Sequence, residues 1–256
     1  MIEAIDFGLL LVPFCAGLLV LATHVPLGRE VLRRGIIFID LAIAQVAGLG
    51  VMAAHLAGWG DADGGIDLAT QATAVAAAVC GALLLTWSGR RWPEIQEALI
   101  GLLFAVSACV GILLLAHNPH GGEHLRDLLA GQILWVSWGQ LLLPSVIYVI
   151  VLMTWFRVGP RLGDTGFYLL FALTVTLSVQ LVGVFLVFAS LIAPALASRR
   201  LNGKRGLYRG YIVGIIAYAV GLAASGVTDL PPGPTVVCVL GLTAMLGLIA
   251  GSKEAK

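Results

Sequence analysis

One acidic side chain, Asp40, lies within the apolar stretch Gly35 to His55, which has the length of a membrane-crossing helix. An ionised carboxylate in hydrocarbon costs several kcal/mol unless it faces a bundle interior, a partner or a water-filled path. Ala44 and Gly48 follow at i+4 and i+8, so they share its helix face and leave room for another helix or a hydrated ion. Asp40 is therefore a candidate ligand for a cation in the membrane. The alternative is a protonated Asp with a structural hydrogen bond to a neighbouring helix.

Further candidate ligands are imidazoles outside that stretch. The polar segment 117–124 holds four metal-binding side chains: His117, His120, Glu123 and His124. Their spacing would bring two imidazoles together on a helix, and imidazole is a favoured ligand for zinc, iron and nickel. Pro119 and the glycines at 121 and 122 argue against a regular helix, so metal hand-off and plain loop polarity both remain open. His55, near the outer end of its span, is either a first ligand for an arriving metal or an interface residue.

Composition places the chain among integral membrane proteins. Of its 256 residues, 59% are hydrophobic and only 11% are charged, which is outside the soluble range. The net charge of +1 argues against nucleic acid as a partner. The four cysteines lie singly in apolar runs, so we expect small buried residues and not ligands or disulfides. The acidic start of the chain lacks the basic region of a signal peptide, so no cleavage is expected.

Eight stretches are apolar and near the 20 residues that a spanning helix needs: 7–24, 35–57, 69–87, 97–117, 139–156, 166–191, 207–227 and 233–251. Strand alternation is absent, so the fold class is all-α. Of the 15 Lys and Arg residues, 14 lie in 24–35, 88–96, 156–164, 198–209 and the tail. The positive-inside rule makes these segments cytoplasmic, with the N-terminus outside and the C-terminus inside. We expect one transmembrane domain over 1–256.

This topology constrains how often residues 165–197 cross the membrane. Both flanking loops are cytoplasmic, so the segment must cross an even number of times, yet a continuous helix of 33 residues would be about 50 Å long. Gln180, Gly183 and Pro194 suit a turn near 180–183 and a shorter returning helix that ends near Pro194. The sequence therefore predicts about eight transmembrane helices plus one short returning helix. Gln180, at the apex, is a candidate polar group of a pathway because it can satisfy freed backbone groups.

Common enzyme signatures are missing from the sequence. There is no G-x-x-x-x-G-K-[ST] nucleotide loop, no H-E-x-x-H and no G-x-S-x-G. We therefore expect a protein that is not an enzyme, and any ATP that it uses must bind to another subunit. The basic segment Ile192 to Arg209 has, on composition alone, the properties of an ordinary cytoplasmic anchor.

Five motifs follow one another along the chain. In order they are Arg33-Arg34 followed by DLAIAQVAGLG (40–50), EALIGLLFAVSACVGILLL (97–115), HLRDLLAGQILWVSWGQL (124–141), SVQLVGVFLVFASLIAPALASRR (178–200) and DLPPGPTVVCVLGL (229–242). This order resembles that of the metal-type ABC-3 permeases, the membrane subunits of zinc, manganese and iron(II) importers. The motifs span residues 33–242, so the resemblance covers nearly the whole chain. It implies a fold like that of type II ABC importer permeases.

The resemblance also implies partners and a site of coupling. A permease of this kind works as a homodimer in the inner (plasma) membrane, with a cytoplasmic ATPase and a periplasmic or lipid-anchored metal-binding protein. No cofactor is bound permanently, and the divalent metal ion is the substrate. The segment that matches the family's coupling helix, which docks in a groove of the ATPase, contains Pro194, Ala195, Leu196, Ser198, Arg199 and Arg200.

One departure from the family concerns the cation ligands. The family's second span usually carries an Asp and, four residues later, a His, whereas here Asp40 is followed by Ala44. Gln45 lies about 140° from Asp40 around a helix, so it cannot replace the imidazole on the same face, although it stays a polar candidate for the pathway. Loss of the imidazole weakens the case for zinc, which favours nitrogen and sulfur donors.

Two other functions compete with metal import. Permeases for siderophores or cobalamin are related but are usually longer, with more spans. A membrane enzyme or an assembly scaffold could also use an intramembrane Asp, but a hydrolase would need a second catalytic group facing it. No other charged side chain lies as deep in a predicted span as Asp40.

Overall fold

The computed structural model describes residues 7–58, 68–115, 129, 131 and 133–253. Within these ranges the chain is helical and contains no strand, as the sequence predicts. The helices are α1 (Phe7–Arg34), α2 (Ile39–Leu56), α3 (Leu68–Arg91), α4 (Gln96–Leu115), α5 (Trp138–Val158), α6 (Gly163–Val182), α7 (Val184–Ala197), α8 (Gly203–Thr228) and α9 (Pro232–Lys253).

Seven of the described helices are long and apolar enough to cross a membrane, and two apolar helices are shorter. The shorter ones are α2, with 18 residues, and α7, with 14. At 1.5 Å per residue they are about 27 Å and 21 Å long. The seven long helices together with α2 match the eight predicted spans, and α7 is the short returning helix. The all-α, multi-pass class is therefore confirmed.

The first helix is longer than the sequence suggested. The segment 24–35, expected to be a cytoplasmic loop, is helical as far as Arg34, and Pro26 lies inside the helix. Val25, Leu27 and Val31 are fully or almost fully buried, so continuing the helix removes apolar side chains from water. Membrane helices tolerate an internal proline where neighbouring helices and local adjustments satisfy the backbone.

The predicted break between two helices lies at Gly183. Helix α6 ends at Val182 and α7 begins at Val184, and the single residue between them has φ 82° and ψ 162°. Only glycine adopts this backbone region without strain. The turn between 180 and 183 is therefore confirmed, although α7 runs past Pro194 to Ala197.

The chain forms two compact units. The first contains Met1–Arg34, Leu129–Tyr148 and Gln180–Lys256, as far as these are described. Its centre is α7, which packs against α1, α8 and α9. Helix α7 is apolar on nearly all sides and ten of its 14 residues are buried, as expected for a helix enclosed by others.

The second unit contains Gly35–Leu128 and Val149–Val179, again within the described residues. Here α2 packs against α3 and α4. Gly50 lies where an added Cβ would be 2.7 Å from the carbonyl oxygen of Thr73 in α3. The backbones of α2 and α3 therefore approach closely, as helices in lipid do through small residues.

Candidate ion site and coupling turn

Asp40 is the second residue of α2, and only 1% of its surface is exposed. Among the described residues, neither carboxylate oxygen has a hydrogen-bond partner. The predicted structural alternative, a hydrogen bond to a neighbouring helix, is therefore not seen in this part of the chain. The first turn of a helix has free N–H groups and a positive dipole end, which favour a negative charge. Asp40 is thus a buried acceptor in the first turn of α2. The predicted span begins at residue 35, so Asp40 lies closer to the start of the helix than the sequence suggested.

Small side chains surround Asp40 along its own helix face. Ala44 and Gly48 are both buried, as the i, i+4, i+8 spacing predicts. Gln45 is also buried, with 6% of its surface exposed. Because Gln45 points well away from Asp40 around the helix, its amide does not complete a ligand pair with this carboxylate.

A second carboxylate, that of Glu97, binds the backbone at the start of α2. Glu97, in the first turn of α4, accepts a hydrogen bond through Oε1 from the backbone N–H of Phe38, the residue that precedes α2 (3.3 Å). Its Oε2 atom is buried and has no hydrogen-bond partner among the described residues. The Glu97 side chain as a whole is half-buried, and Asp40 is the one fully buried acid among the described residues, as the sequence predicts. Glu97 helps to fix where α2 begins.

The other predicted site residues are His55, Gln180 and the cluster at 117–124. His55 and Gln180 are exposed, in the last turns of α2 and α6. His117, His120 and His124 lie outside the described residues, as does Glu123. Within the part of the chain that the structure describes, no group of three or more His, Cys, Asp or Glu side chains could hold a metal ion. Asp40 is therefore the strongest candidate ligand there. All four cysteines are free, as expected, but Cys80, Cys109 and Cys238 are exposed and not buried.

The segment predicted to couple to an ATPase is mostly interior to its unit. Pro194 and Ala195 are buried in α7, and Ser198, which follows the helix, is fully buried. Leu196 is half-buried, whereas Arg199 and Arg200 are exposed. The buried members of the segment already pack inside their own unit. The part of this segment that another subunit can contact is cationic and begins at Arg199.

One side chain that the sequence analysis missed, Arg29 of α1, binds this turn. Its Nη1 donates to the carbonyl oxygen of Ser198 (3.3 Å) and contacts the Ser198 hydroxyl (3.1 Å). Its Nη2 donates to the carbonyl oxygen of Leu201 at 2.8 Å. A cation at the C-terminal end of α7 is favourable because the last carbonyls of a helix are free and carry a negative partial charge. The five donors of a guanidinium suit several acceptors at once.

Beside this contact lies a cleft of about 690 Å³. Its walls include Pro26, Glu30 and Arg33 from α1, and Arg199 and Asn202 from the turn. Glu30 is bonded to Arg33 at 2.8 Å and 2.5 Å and to Arg34 at 2.6 Å, so its charge is balanced locally. The cleft therefore presents a net positive surface.

The sequence of this chain matches the model of the ABC 3 transport family over residues 6–162 and 157–251. This chain belongs to the ABC 3 transport family. It is a multi-pass protein of the inner (plasma) membrane, and its family is one of transport permeases. The resemblance inferred from the five motifs is therefore confirmed.

Relatives in other organisms carry names that refer to transport. A "Probable metal transport system membrane protein" of Chlamydia muridarum is 22% identical over 69% of this chain and 67% of its own length. A "Probable iron transport system membrane protein" of Haemophilus influenzae is 26% identical over 60% of this chain and 64% of its own length. A membrane protein of Synechocystis described as uncharacterized is 24% identical over 97% of this chain and 92% of its own length.

A solved structure shares the fold. The structure described as "PsaBC from Streptococcus pneumoniae in complex with Fab" aligns with a TM-score of 0.75 and 17% identity. The alignment covers 94% of this chain and 91% of that one. At this level of identity the likeness shows the arrangement of the helices.

Proposed function

We propose that this chain is the permease subunit of an ABC importer for a divalent metal ion. The observation that carries the proposal is Asp40, whose two buried carboxylate oxygens have no hydrogen-bond partner among the described residues. A buried charge without a partner is costly, and a cation that passes along α2 would supply the partner. Family membership and the printed names of the relatives support the same substrate class.

The ligands favour manganese(II) or iron(II) over zinc. Asp40 offers oxygen atoms, and Ala44 offers no donor where an imidazole would lie one helical turn away. Oxygen ligands suit manganese, whereas zinc prefers nitrogen and sulfur. At most protein sites zinc binds more tightly than manganese or iron(II). A site without imidazole or thiolate reduces this advantage of zinc.

We further propose that the permease works as a homodimer with a cytoplasmic ATPase and an external metal-binding protein. The exposed cations Arg199 and Arg200, followed by Lys204 and Arg205, form the contact surface for the ATPase. Such a surface fits acidic groups on the partner, since opposite potentials speed association and select the partner. The cleft between α1 and the turn extends the same positive surface.

Transport assays with the whole complex test this function. The permease would be purified with its ATPase, reconstituted in proteoliposomes and supplied with ATP and the metal-loaded binding protein. We expect ATP-dependent accumulation of radiolabelled manganese(II), with unlabelled manganese or iron(II) competing better than zinc. No accumulation of any of the three metals would contradict import of a divalent metal, and accumulation of an iron chelate alone would favour a siderophore permease.

A further inference from the structure

Arg29 connects three helices of the first unit at one point. It lies on α1, and its guanidinium binds the carbonyl oxygens of Ser198 and Leu201, between the end of α7 and the start of α8. Gly206, in the first turns of α8, lies against both partners of this contact, since an added Cβ would collide with Nη1 of Arg29 and with the carbonyl oxygen of Leu201. A side chain at position 206 would therefore separate Arg29 from the Leu201 carbonyl.

The neighbouring cations of α1 cannot take over this contact. Arg33 and Arg34 both donate to Glu30, one residue after Arg29. Gly28, the residue before Arg29, lies where an added Cβ would collide with the carbonyl oxygen of Leu191 in α7. Two successive residues of α1 thus contact backbone carbonyls in or just after α7. Gly28 packs closely against Leu191, and Arg29 donates hydrogen bonds to the turn that follows α7.

We propose that Arg29 is a positioning residue that fixes the turn 198–202 on α1, so that a displacement of this turn by the ATPase is transmitted to α1. This proposal rests on the proposed function, because it assigns a step in coupling to ATP. The exposed side of the turn, at Arg199 and Arg200, is available to the partner, while its inner side is bound to α1. Two carbonyls bound by one planar guanidinium resist rotation of the turn, whereas a single hydrogen bond would not.

The first test measures the turn in the permease alone. Amide hydrogen exchange would compare residues 199–205 in the wild type, Arg29→Lys and Gly206→Ala, all in nanodiscs. Lysine keeps the charge but cannot reach both carbonyls in the planar geometry of arginine. Gly206→Ala keeps Arg29 but displaces its guanidinium together with the carbonyl oxygen of Leu201. We expect exchange in this segment to become about tenfold faster or more in both variants, as for loss of a charge-assisted hydrogen bond.

The second test measures coupling. The same variants would be reconstituted with the ATPase and the metal-loaded binding protein, and manganese(II) taken up per ATP hydrolysed would be recorded. We expect ATPase association within about twofold of the wild type and uptake per ATP about tenfold lower. Gly241→Ala, where nothing lies within 4 Å of an added Cβ, is a matched control that should behave as the wild type.

Unchanged exchange in Arg29→Lys would overturn the proposal, whatever the result for Gly206→Ala, because Gly206→Ala also moves the turn directly through Leu201. So would faster exchange with normal uptake per ATP, since Arg29 would then stabilise the turn without a part in coupling. If the wild type itself takes up no metal, the proposed function fails. In that case the exchange data still decide whether Arg29 fixes the turn.

Discussion

The hydroxyl groups of Ser190 and Tyr218 lie 2.8 Å apart, and both side chains are fully buried. The bond joins α7 to α8. The ring of Tyr218 also fills the space beside Gly17, because an added Cβ there would collide with the ring. One aromatic side chain therefore holds α1, α7 and α8 together.

Replacing Tyr218 with Phe should destabilise the protein by about 1 kcal/mol, because the Ser190 hydroxyl loses a buried partner. For a chain of this size that corresponds to an apparent Tm lower by about 2–4 °C. Thermal unfolding of the purified permease in detergent measures it. Tyr208→Phe is the control, since Tyr208 is 67% exposed; equal effects of the two substitutions would contradict a special role of the buried bond.

Gly183→Ala should be more damaging than an ordinary helix substitution. Its φ of 82° and ψ of 162° are strained for any residue with a Cβ, at a cost of about 1–3 kcal/mol. Gly131 also packs against the backbone of Val182 and Gly183, so the turn has little room to relax. The yield of folded protein and its Tm would be compared with those of Gly101→Ala, where an added Cβ meets nothing. A Tm equal to the control would show that the turn accepts a side chain.

Asp40→Asn tests the cation ligand. The amide keeps the size and one oxygen but removes the charge, so we expect manganese(II) uptake to fall about tenfold or more, with little change in folded yield. Asp164→Asn is the matched control. Asp164 is also the second residue of its helix but is exposed, so both substitutions remove a helix-terminal charge and only one removes a buried ligand. Wild-type uptake by the Asp40→Asn variant would exclude the ligand role.

Ala44→His should shift selectivity toward zinc. It places an imidazole one turn from Asp40 on the same face, which supplies the nitrogen donor that zinc favours. Ala44 is buried, so some loss of stability from overpacking is expected as well. Ala42→His is the control because Ala42 is equally buried but lies on another face of α2. Competition of zinc with radiolabelled manganese should strengthen in the first variant alone, and equal competition in both would contradict the pairing with Asp40.

The orientation of the helices can be tested at the two ends of α8. Its 26 residues are about 39 Å long, which is sufficient to cross the bilayer. Asn202, before the helix, is predicted inside, and Asp229, after it, outside. Both are exposed. On a background without the native cysteines, a membrane-impermeant maleimide applied to intact cells should label Asp229→Cys and not Asn202→Cys. The reverse pattern would invert the topology.

Much of the fold follows from the sequence because hydrophobic length and charge are local properties. The turn at Gly183 could be predicted from the even number of crossings that the flanking basic loops require. The helical extension of α1 past His24 was missed because charge and Pro26 were interpreted as signs of a loop. His24 is fully buried. Whether such a segment stays helical depends on what packs against Val25 and Val31, which is not a local property.

The site was less predictable for the same reason. Spacing placed Asp40, Ala44 and Gly48 on one face, and the structure agrees. The burial of Ala195 follows from the apolar residues on all sides of α7. The family resemblance instead implied that the segment containing Ala195 docks on the ATPase. No sequence signal distinguishes Arg29 from Arg33, because the difference lies in the carbonyls of Ser198 and Leu201, 169 and 172 residues away.

The shortness of α7 has a consequence for synthesis of the protein. At about 21 Å it falls short of the roughly 30 Å of hydrocarbon that a spanning segment must match. Its neighbours are α1, made long before it, and α8 and α9, made after it. When α7 leaves the ribosome, two of these three helices have not yet been made. It must therefore take its final place after α8 and α9 have entered the membrane, so this unit is completed only at the end of synthesis.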